Sequence, residues 1–359
     1  MNILKKTKKA LIPLYQRITT FMSRGELALP DNTNRAFIFL TPDYGNIGDL
    51  AIGYAQQKFL EDNLPGYTVF SIPVADTYKY LRHIKKHIKQ DDVIFLVGGG
   101  SFGDLYPKAD FGRVFLTRYF RKNRVCFFPQ TMVFRDTEYG RQRLAATRKA
   151  FDVCDNLTLV ARERQSYAAM QKQFNNPVLL SPDIVFSLLP DMQAKAVGMR
   201  DGIVFTLRAD EEKFVAKEKE DALVDFVKAQ YGPVQFRDTT VDPARFEYAK
   251  RDFYIQDTLD LYRRSRLVIT DRLHGMIFAF ITGTPCIVLP NANHKIKGTY
   301  DDWLSDCNYI TLLNDVDLAT VKRTIDAYFA VDFQSNYAGL TVEFTALKEY
   351  LADMAKDGR

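Results

Sequence analysis

Thr270-Asp271-Arg272-Leu273-His274-Gly275 is the run in this sequence best equipped for chemistry. It lies between the apolar segments Leu267-Val268-Ile269 and Met276-Ile277-Phe278-Ala279-Phe280, so it reads as a tight polar turn joining a strand to a buried helix. Arg272 and His274 then stand beyond the carboxyl end of a strand, where an open α/β sheet binds its ligand. They also stand at a helix N-terminus, whose N–H groups and dipole favour an anion. One turn thus offers a fixed cation, a titratable imidazole and a helix dipole, a set suited to a phosphorylated or carboxylated small molecule. An Arg-x-His turn can instead be structural, the Arg pairing a carboxylate and the His capping backbone. Scarcity tells against that: the chain has only 4 His, and His83 and His87 fall in a basic helix that reads as a solvated face. His is also the side chain most readily set for proton transfer near neutral pH.

Other strand ends carry candidate groups. Thr41-Pro42-Asp43-Tyr44-Gly45-Asn46-Ile47-Gly48-Asp49-Leu50 is a glycine-containing strand-to-helix turn, neither GxGxxG nor a P-loop. Gly45 and Gly48 allow tight backbone and close approach, and Asp49 is expected to cap the helix. Val97-Gly98-Gly99-Gly100-Ser101 places three glycines after a buried strand, a costly choice for stability alone, and predicts an open surface for a ligand. Arg162 and Asp183 each follow a further strand. Arg162 suits bidentate contact with carboxylate or phosphate, or an ion pair within its own domain to Glu163 or Asp183. In the second half, the stretch Asn291-Ala292-Asn293-His294-Lys295 reads as a loop holding a cation, Lys295.

These turns need a framework of strands and helices. Apolar strands are expected at 36–40, 67–72, 93–97, 125–128, 157–160 and 178–180, with helices between them. After a linker at 188–201 the alternation restarts with strands at 203–207, 234–236, 267–269, 286–289 and 309–312. Helices are expected near 211–230, 256–265, 315–329 and 340–356. Such alternation predicts α/β architecture with parallel sheets: two doubly wound Rossmann-like domains in tandem, with an interdomain cleft. The expected bounds are an N-terminal helix at 1–30, an acceptor-side domain at 31–190, a donor-side domain at 191–335 and a C-terminal helix at 336–359.

Composition limits the classes. The 359 residues are 47% hydrophobic and 26% charged, ordinary for globular chains. The 4 Cys are scattered, with no CxxC or zinc spacing, so neither a disulfide framework nor a metal is expected, and a cytoplasmic location is. No apolar run reaches the length of a membrane span. A net charge of +5 fits anionic substrates but, without stacking or groove-reading motifs, argues for no nucleic acid. Residues 1–24 form a basic amphipathic pattern, with Leu11, Leu14, Tyr15, Ile18 and Met22 on one stripe. That is the pattern of an interfacial anchor, or of a helix docked on its own domain.

Taken in order, several turns resemble the polysaccharide pyruvyl transferase family: Gly45-Asn46-Ile47-Gly48-Asp49, Gly98-Gly99-Gly100, Arg162-Glu163 with Ser166, Pro182-Asp183, Asp271-Arg272-Leu273-His274-Gly275, Gly283-x-Pro285 and Lys295. The match spans residues 36–300 and is specific as an ordered set. The resemblance implies a fold like the GT-B glycosyltransferases, and transfer of pyruvate from phosphoenolpyruvate onto two hydroxyls of one sugar as a cyclic ketal. By motif position it implies Arg272 and His274 as the catalytic pair, with Arg162, Lys295 and Gly275 on the donor. It implies Asn46, Gly48, Asp49, Gly98, Gly99, Gly100 and Asp183 on the acceptor side. No metal or cofactor is implied beyond phosphoenolpyruvate as co-substrate. The acceptor is expected to be a polysaccharide or lipid-linked repeat unit. Two other readings stay open: a nucleotide-sugar glycosyltransferase of the same architecture, and a non-catalytic scaffold of a polysaccharide pathway.

Overall fold

Six apolar segments of the first half become one parallel sheet, as unbroken hydrophobicity demands of strands covered on both faces. The computed structural model describes residues 3–195, 198–208, 213–291, 294–331 and 340–357. Ala292 and Asn293 of the expected loop, 211–212 of an expected helix and 336–339 of the expected C-terminal segment lie outside them.

The chain forms two units. The first takes Met1–Asp43, Ile52–Ile184 and Phe344–Arg359; the second takes Tyr44–Ala51 and Val185–Glu343. The boundary therefore falls after Ile184 and not at 190, and the turn after the first strand belongs to the second unit.

Unit 1 contains β1 (Asn34–Thr41), β2 (Tyr67–Pro73), β3 (Val93–Leu96), β4 (Gly99–Gly103), β5 (Arg124–Phe127), β6 (Gln130–Val133), β7 (Leu157–Ala161) and β8 (Val178–Leu180). Their order is β2-β1-β3-β5-β7-β6-β4, with β8 also on β7. Each ladder is parallel. The strands expected at 93–97 and 125–128 form as β3 and β5, but each is followed by a short strand that was not expected: Val97-Gly98 parts β3 from β4, and Phe128-Pro129 parts β5 from β6. Proline lacks the N–H that a continuous ladder needs. The helices are α1 (Ile3–Met22), most of α2 (Ile47–Asn63), α3 (Val74–His87), α4 (Pro107–Tyr119), α5 (Glu138–Phe151) and α6 (Arg164–Gln173).

Unit 2 contains α7 (Leu189–Gln193), β9 (Ile203–Thr206), α8 (Lys217–Tyr231), β10 (Val234–Phe236), α9 (Arg251–Arg264), β11 (Leu267–Thr270), α10 (Leu273–Ile281), β12 (Cys286–Val288), α11 (His294–Trp303), β13 (Ile310–Leu312) and α12 (Leu318–Phe329). Its sheet runs β10-β9-β11-β12-β13, all parallel. The chain then returns to unit 1 as α13 (Thr345–Asp357). There Phe344, Leu347, Leu351 and Met354 are buried, and Phe344 packs on Phe59 with ring centroids 5.2 Å apart. Each unit is a doubly wound parallel α/β layer structure, the architecture expected from the alternation.

Both sheets have a reversal of strand order, where helices leave to opposite faces and a crevice opens beyond the strand ends. In unit 2 it lies between β9 and β11. The helix that follows β11, α10, is nearly all apolar, and Met276, Ile277, Phe278, Ala279, Phe280 and Ile281 are buried. Each large apolar side chain so buried contributes roughly 1.5–3 kcal/mol. The Arg272 turn is thereby fixed between a central strand and a core helix.

Candidate functional site

Thr206 and Thr270 stand side by side in register at the carboxyl ends of β9 and β11. Tyr262 Oη donates to Thr206 Oγ1 at 2.7 Å, and Thr270 Oγ1 donates to the Thr206 carbonyl at 2.7 Å. The Arg272 amide donates to Thr270 Oγ1 at 3.1 Å. A Cβ at Gly275 would lie 2.3 Å from Thr270 Oγ1. Thr270 is β-branched and held at both ends, so it cannot yield. Glycine is required for α10 to begin this close to β11, which gives Gly275 a packing role beneath the turn.

Arg272 is the N-cap residue of α10. Its side chain is 11% exposed, and Nη2 lies 3.1 Å from Asp238 Oδ1 at the end of β10. Arg272 Nε is buried and has no hydrogen-bond partner among the described residues. A buried charged donor in that state can take an acceptor from outside the chain. Asp271 is buried beside it and accepts the Arg208 amide on Oδ1 at 2.8 Å. Burial raises its carboxyl to about 6, against the opposing pull of the Arg208 amide and the Arg272 charge. Asn291 Nδ2 donates to the Asp271 carbonyl at 3.2 Å, tying the turn after β12 to the turn after β11.

His274 follows within the first turn of α10, its ring tilted against Phe278 at 6.1 Å. The segment that packs on it comes from far away in sequence. Ile47 N donates to Thr239 O and Val241 N to Gly45 O, each at 2.7 Å, with Asn46 opposite Thr240 in an antiparallel bridge. A Cβ at Gly45 would meet Val241 O at 2.4 Å, and one at Gly48 would meet His274 Nδ1 at 2.4 Å. Both glycines are therefore demanded by contact. Asn46 Oδ1, not the Asp49 carboxylate, caps α2 by accepting the Asp49 amide at 3.1 Å. Asp49 sits three residues inside the helix, where its carboxylate accepts Tyr44 Oη at 3.1 Å and complements the helix dipole.

Asn46, Gly48, Asp49, Arg272, His274 and Gly275 are thus gathered in unit 2. Lys295 belongs to the same unit, but it lies in the first turn of α11, not in a loop, and is 9% exposed. The remaining candidates belong to unit 1. Arg162, expected on the donor, is 1% exposed; its Nε donates to Thr131 Oγ1 and its Nη1 to Asp183 Oδ2, each at 2.7 Å. Asp183 is correspondingly a core ion-pair partner, also 1% exposed. Gly98 and Gly99 do not present an open surface. They are buried where β4 starts, with Gly99 at φ +119° and its Cβ position 3.1 Å from Ile52 Cδ1. The Gly98 amide donates to Gln56 Oε1 at 3.2 Å, so this tract packs against α2; Gly100 is half-buried.

Sequence reasoning passed over Asp238 and the Thr239-Thr240-Val241 segment. Their signal was position: they directly follow the Val234–Phe236 strand, beside the reversal point. It also missed Arg208, whose signal was its place two residues beyond β9. Among the described residues, no group of three or more His, Cys, Asp or Glu is placed to hold a metal ion.

A profile of the family described as polysaccharide pyruvyl transferase matches residues 46–293. General stress protein 30 of Bacillus subtilis is 35% identical over 331 residues, 90% of this chain and 93% of its own. Pyruvyl transferase 1 of Schizosaccharomyces pombe is 28% identical over 325 residues, 83% of this chain and 75% of its own. Among solved structures, UDP-GlcNAc 2-epimerase from Neisseria meningitidis, crystallised bound to UDP-GlcNAc, superposes with a TM-score of 0.50 at 10% identity. It covers 90% of this chain and 99% of that one, a likeness of fold alone.

Proposed function

The chain belongs to the polysaccharide pyruvyl transferase family, and from that premise we propose that it moves the pyruvyl unit of phosphoenolpyruvate onto two hydroxyls of one sugar, closing a cyclic ketal. The observation that carries this reading is the Arg272 turn: a half-buried guanidinium whose buried Nε is left unpaired among the described residues, and an imidazole, on one helix start at the reversal point of a parallel sheet.

The donor carries a carboxylate and a phosphate. Arg272 meets one of these anionic groups, helped by the N-terminal dipole of α10. Lys295, at the start of α11, supplies further positive charge. A proton is delivered to the methylene carbon, which becomes the methyl group, and C2 becomes electrophilic. The first sugar hydroxyl attacks C2 and gives up its proton. Phosphate leaves with the electron pair of its C–O bond. The second hydroxyl then closes the ring, and its proton departs with phosphate. One phosphoenolpyruvate and one diol give one ketal and one phosphate. His274 is the group that carries these protons in turn. In this scheme Asn46 and Asp49, on the helix start that Gly48 brings onto the imidazole, orient the acceptor hydroxyls. Arg162 and Asp183 have no part in this scheme; they hold unit 1 together.

The acceptor in this reading is a sugar of a polysaccharide or of a lipid-linked repeat unit, modified in the cytoplasm. Phosphoenolpyruvate enters as co-substrate, and the reaction as written calls for no other cofactor.

Ligand-dependent thermal unfolding tests it. A ligand that binds only the folded chain raises the midpoint with concentration. Phosphoenolpyruvate is expected to raise it for wild type and not for Arg272→Ala, while UDP and UDP-glucose leave both unchanged. Stabilisation by the nucleotides, and none by phosphoenolpyruvate, would replace this reading with glycosyl transfer.

A further inference from the structure

α1 is docked the wrong way round for a helix that merely covers its own domain. Over residues 11–22 the buried side carries polar groups: Gln16 and Thr20 are buried, and Gln16 Nε2 donates to Tyr78 Oη on α3 at 2.8 Å. Arg82 of α3 also reaches the Phe21 carbonyl, at 3.3 Å. The opposite face is apolar and open. Leu11, Leu14, Tyr15, Ile18, Phe21 and Met22 are between 48% and 78% exposed. Consecutive large apolar side chains on one stripe are a standing cost in water unless something covers them.

Charge identifies what covers them. Residues 1–24 hold Lys5, Lys6, Lys8, Lys9, Arg17 and Arg24 and no Asp or Glu. The whole chain has 49 Lys and Arg against 44 Asp and Glu, so residues 25–359 have 43 against 44 and a net charge of −1. The chain's entire positive excess thus lies on this helix. The elements that α1 packs against, α3 and α4, extend the basic surface through Arg82, Lys86 and Arg118, with Arg121 and Lys122 just beyond α4; all five are exposed. Lys85 is depressed by burial and then by the like charges of Lys122 and Arg121, as a crowded cationic patch requires. Asp76, the acidic residue of α3, is taken up by Lys79 at 3.3 Å.

We propose that α1 is a membrane-docking surface, which lays its Leu11–Met22 stripe among the acyl chains of an anionic lipid leaflet while Arg17 and the basic residues of α3 and α4 contact the headgroups. Apolar insertion and charge attraction add in such a helix, and the charge part falls with salt. No helix among the described residues is long and apolar enough to cross a membrane, so this is surface docking. The inference is independent of the reaction proposed above, although it would bring the enzyme to a lipid-linked acceptor.

The test is flotation of the full chain with phosphatidylcholine vesicles, with and without phosphatidylglycerol. The expected result is binding to the anionic vesicles, weakened at least tenfold by high salt and at least tenfold by the double substitution Leu14→Glu, Ile18→Glu. Both positions are solvent-exposed, so the variant should keep its thermal midpoint and its response to phosphoenolpyruvate. Equal binding to neutral vesicles, or unchanged binding by the variant, overturns the proposal. So does a concentration-dependent dimer that the double substitution abolishes without any vesicle binding, because the stripe would then be covered by a second copy.

Discussion

Asp271 sits in the turn that carries Arg272 and His274, and its burial there costs the fold. Its carboxyl is raised from 3.8 to about 6, first by burial. The folded chain therefore holds this proton more tightly than the unfolded chain does. That stabilisation is complete below the ordinary carboxyl value and is lost as pH rises through about 6. Above that, a buried carboxylate is retained at a cost on the order of 3 kcal/mol. In Asp271→Asn the amide oxygen can still accept the Arg208 N–H, and nothing titrates. Urea unfolding midpoints measured from pH 4 to pH 8 should show the variant gaining on wild type across that window; parallel curves would refute the assignment. His274 was legible in the sequence because His is scarce and followed an apolar strand, and Arg272 because it shares that turn. Arg208 and Asp238 were not legible. An Arg and an Asp near strand ends are common, and only the pairing of β9 with β11 and the Arg272–Asp238 contact give them meaning.

At the scale of elements, the site is an encounter between two helix starts. The first turn of α2 meets the first turn of α10, and Gly48 is the point of contact. Gly48→Ala puts a methyl where the His274 ring now lies, so the ring must turn or the helix must retreat. The expected outcome is a loss of about 10²-fold in turnover, because displacements on the order of 1 Å are that damaging to a proton-transfer group. The accompanying destabilisation should be about 1–3 kcal/mol. Turnover and thermal midpoint measured on the same preparation decide it; undiminished turnover would mean that the His274 ring position does not matter. The glycines of the Gly98–Gly100 tract mislead for an instructive reason. A glycine can be required by a ligand or by a neighbouring side chain, and the sequence reads the same. Here the Pro129 carbonyl and Ile52 of α2 supply the reason for Gly98 and Gly99. Arg162 poses the same problem with charge: the residue that suits a donor phosphate equally suits Asp183, and the ion pair is buried with both partners at 1% exposure.

At the scale of the molecule, neither unit is a continuous stretch of chain. Alternating apolar segments announced two parallel α/β units, but alternation is local and cannot report that Tyr44–Ala51 joins unit 2 or that α13 rejoins unit 1. Those assignments come from contacts between residues hundreds of positions apart, such as Phe59 with Phe344. A chain ending at Glu343 loses Phe344, Leu347, Leu351 and Met354, all at 4% exposure or less. At roughly 1.5–3 kcal/mol each, about 6–12 kcal/mol goes with them, as much as a typical domain's whole stability. Limited proteolysis should cut unit 1 of that truncated chain while leaving 185–343 protected; a truncated chain as resistant as the full one would show that α13 is dispensable. The same discontinuity sets an order of events during synthesis. Every segment of unit 2 has left the ribosome once residue 343 has emerged, whereas unit 1, although it begins first, still lacks a helix. The later-encoded unit can close while the earlier one waits: the N-terminal sheet has all its strands by then, and still lacks the apolar face of α13.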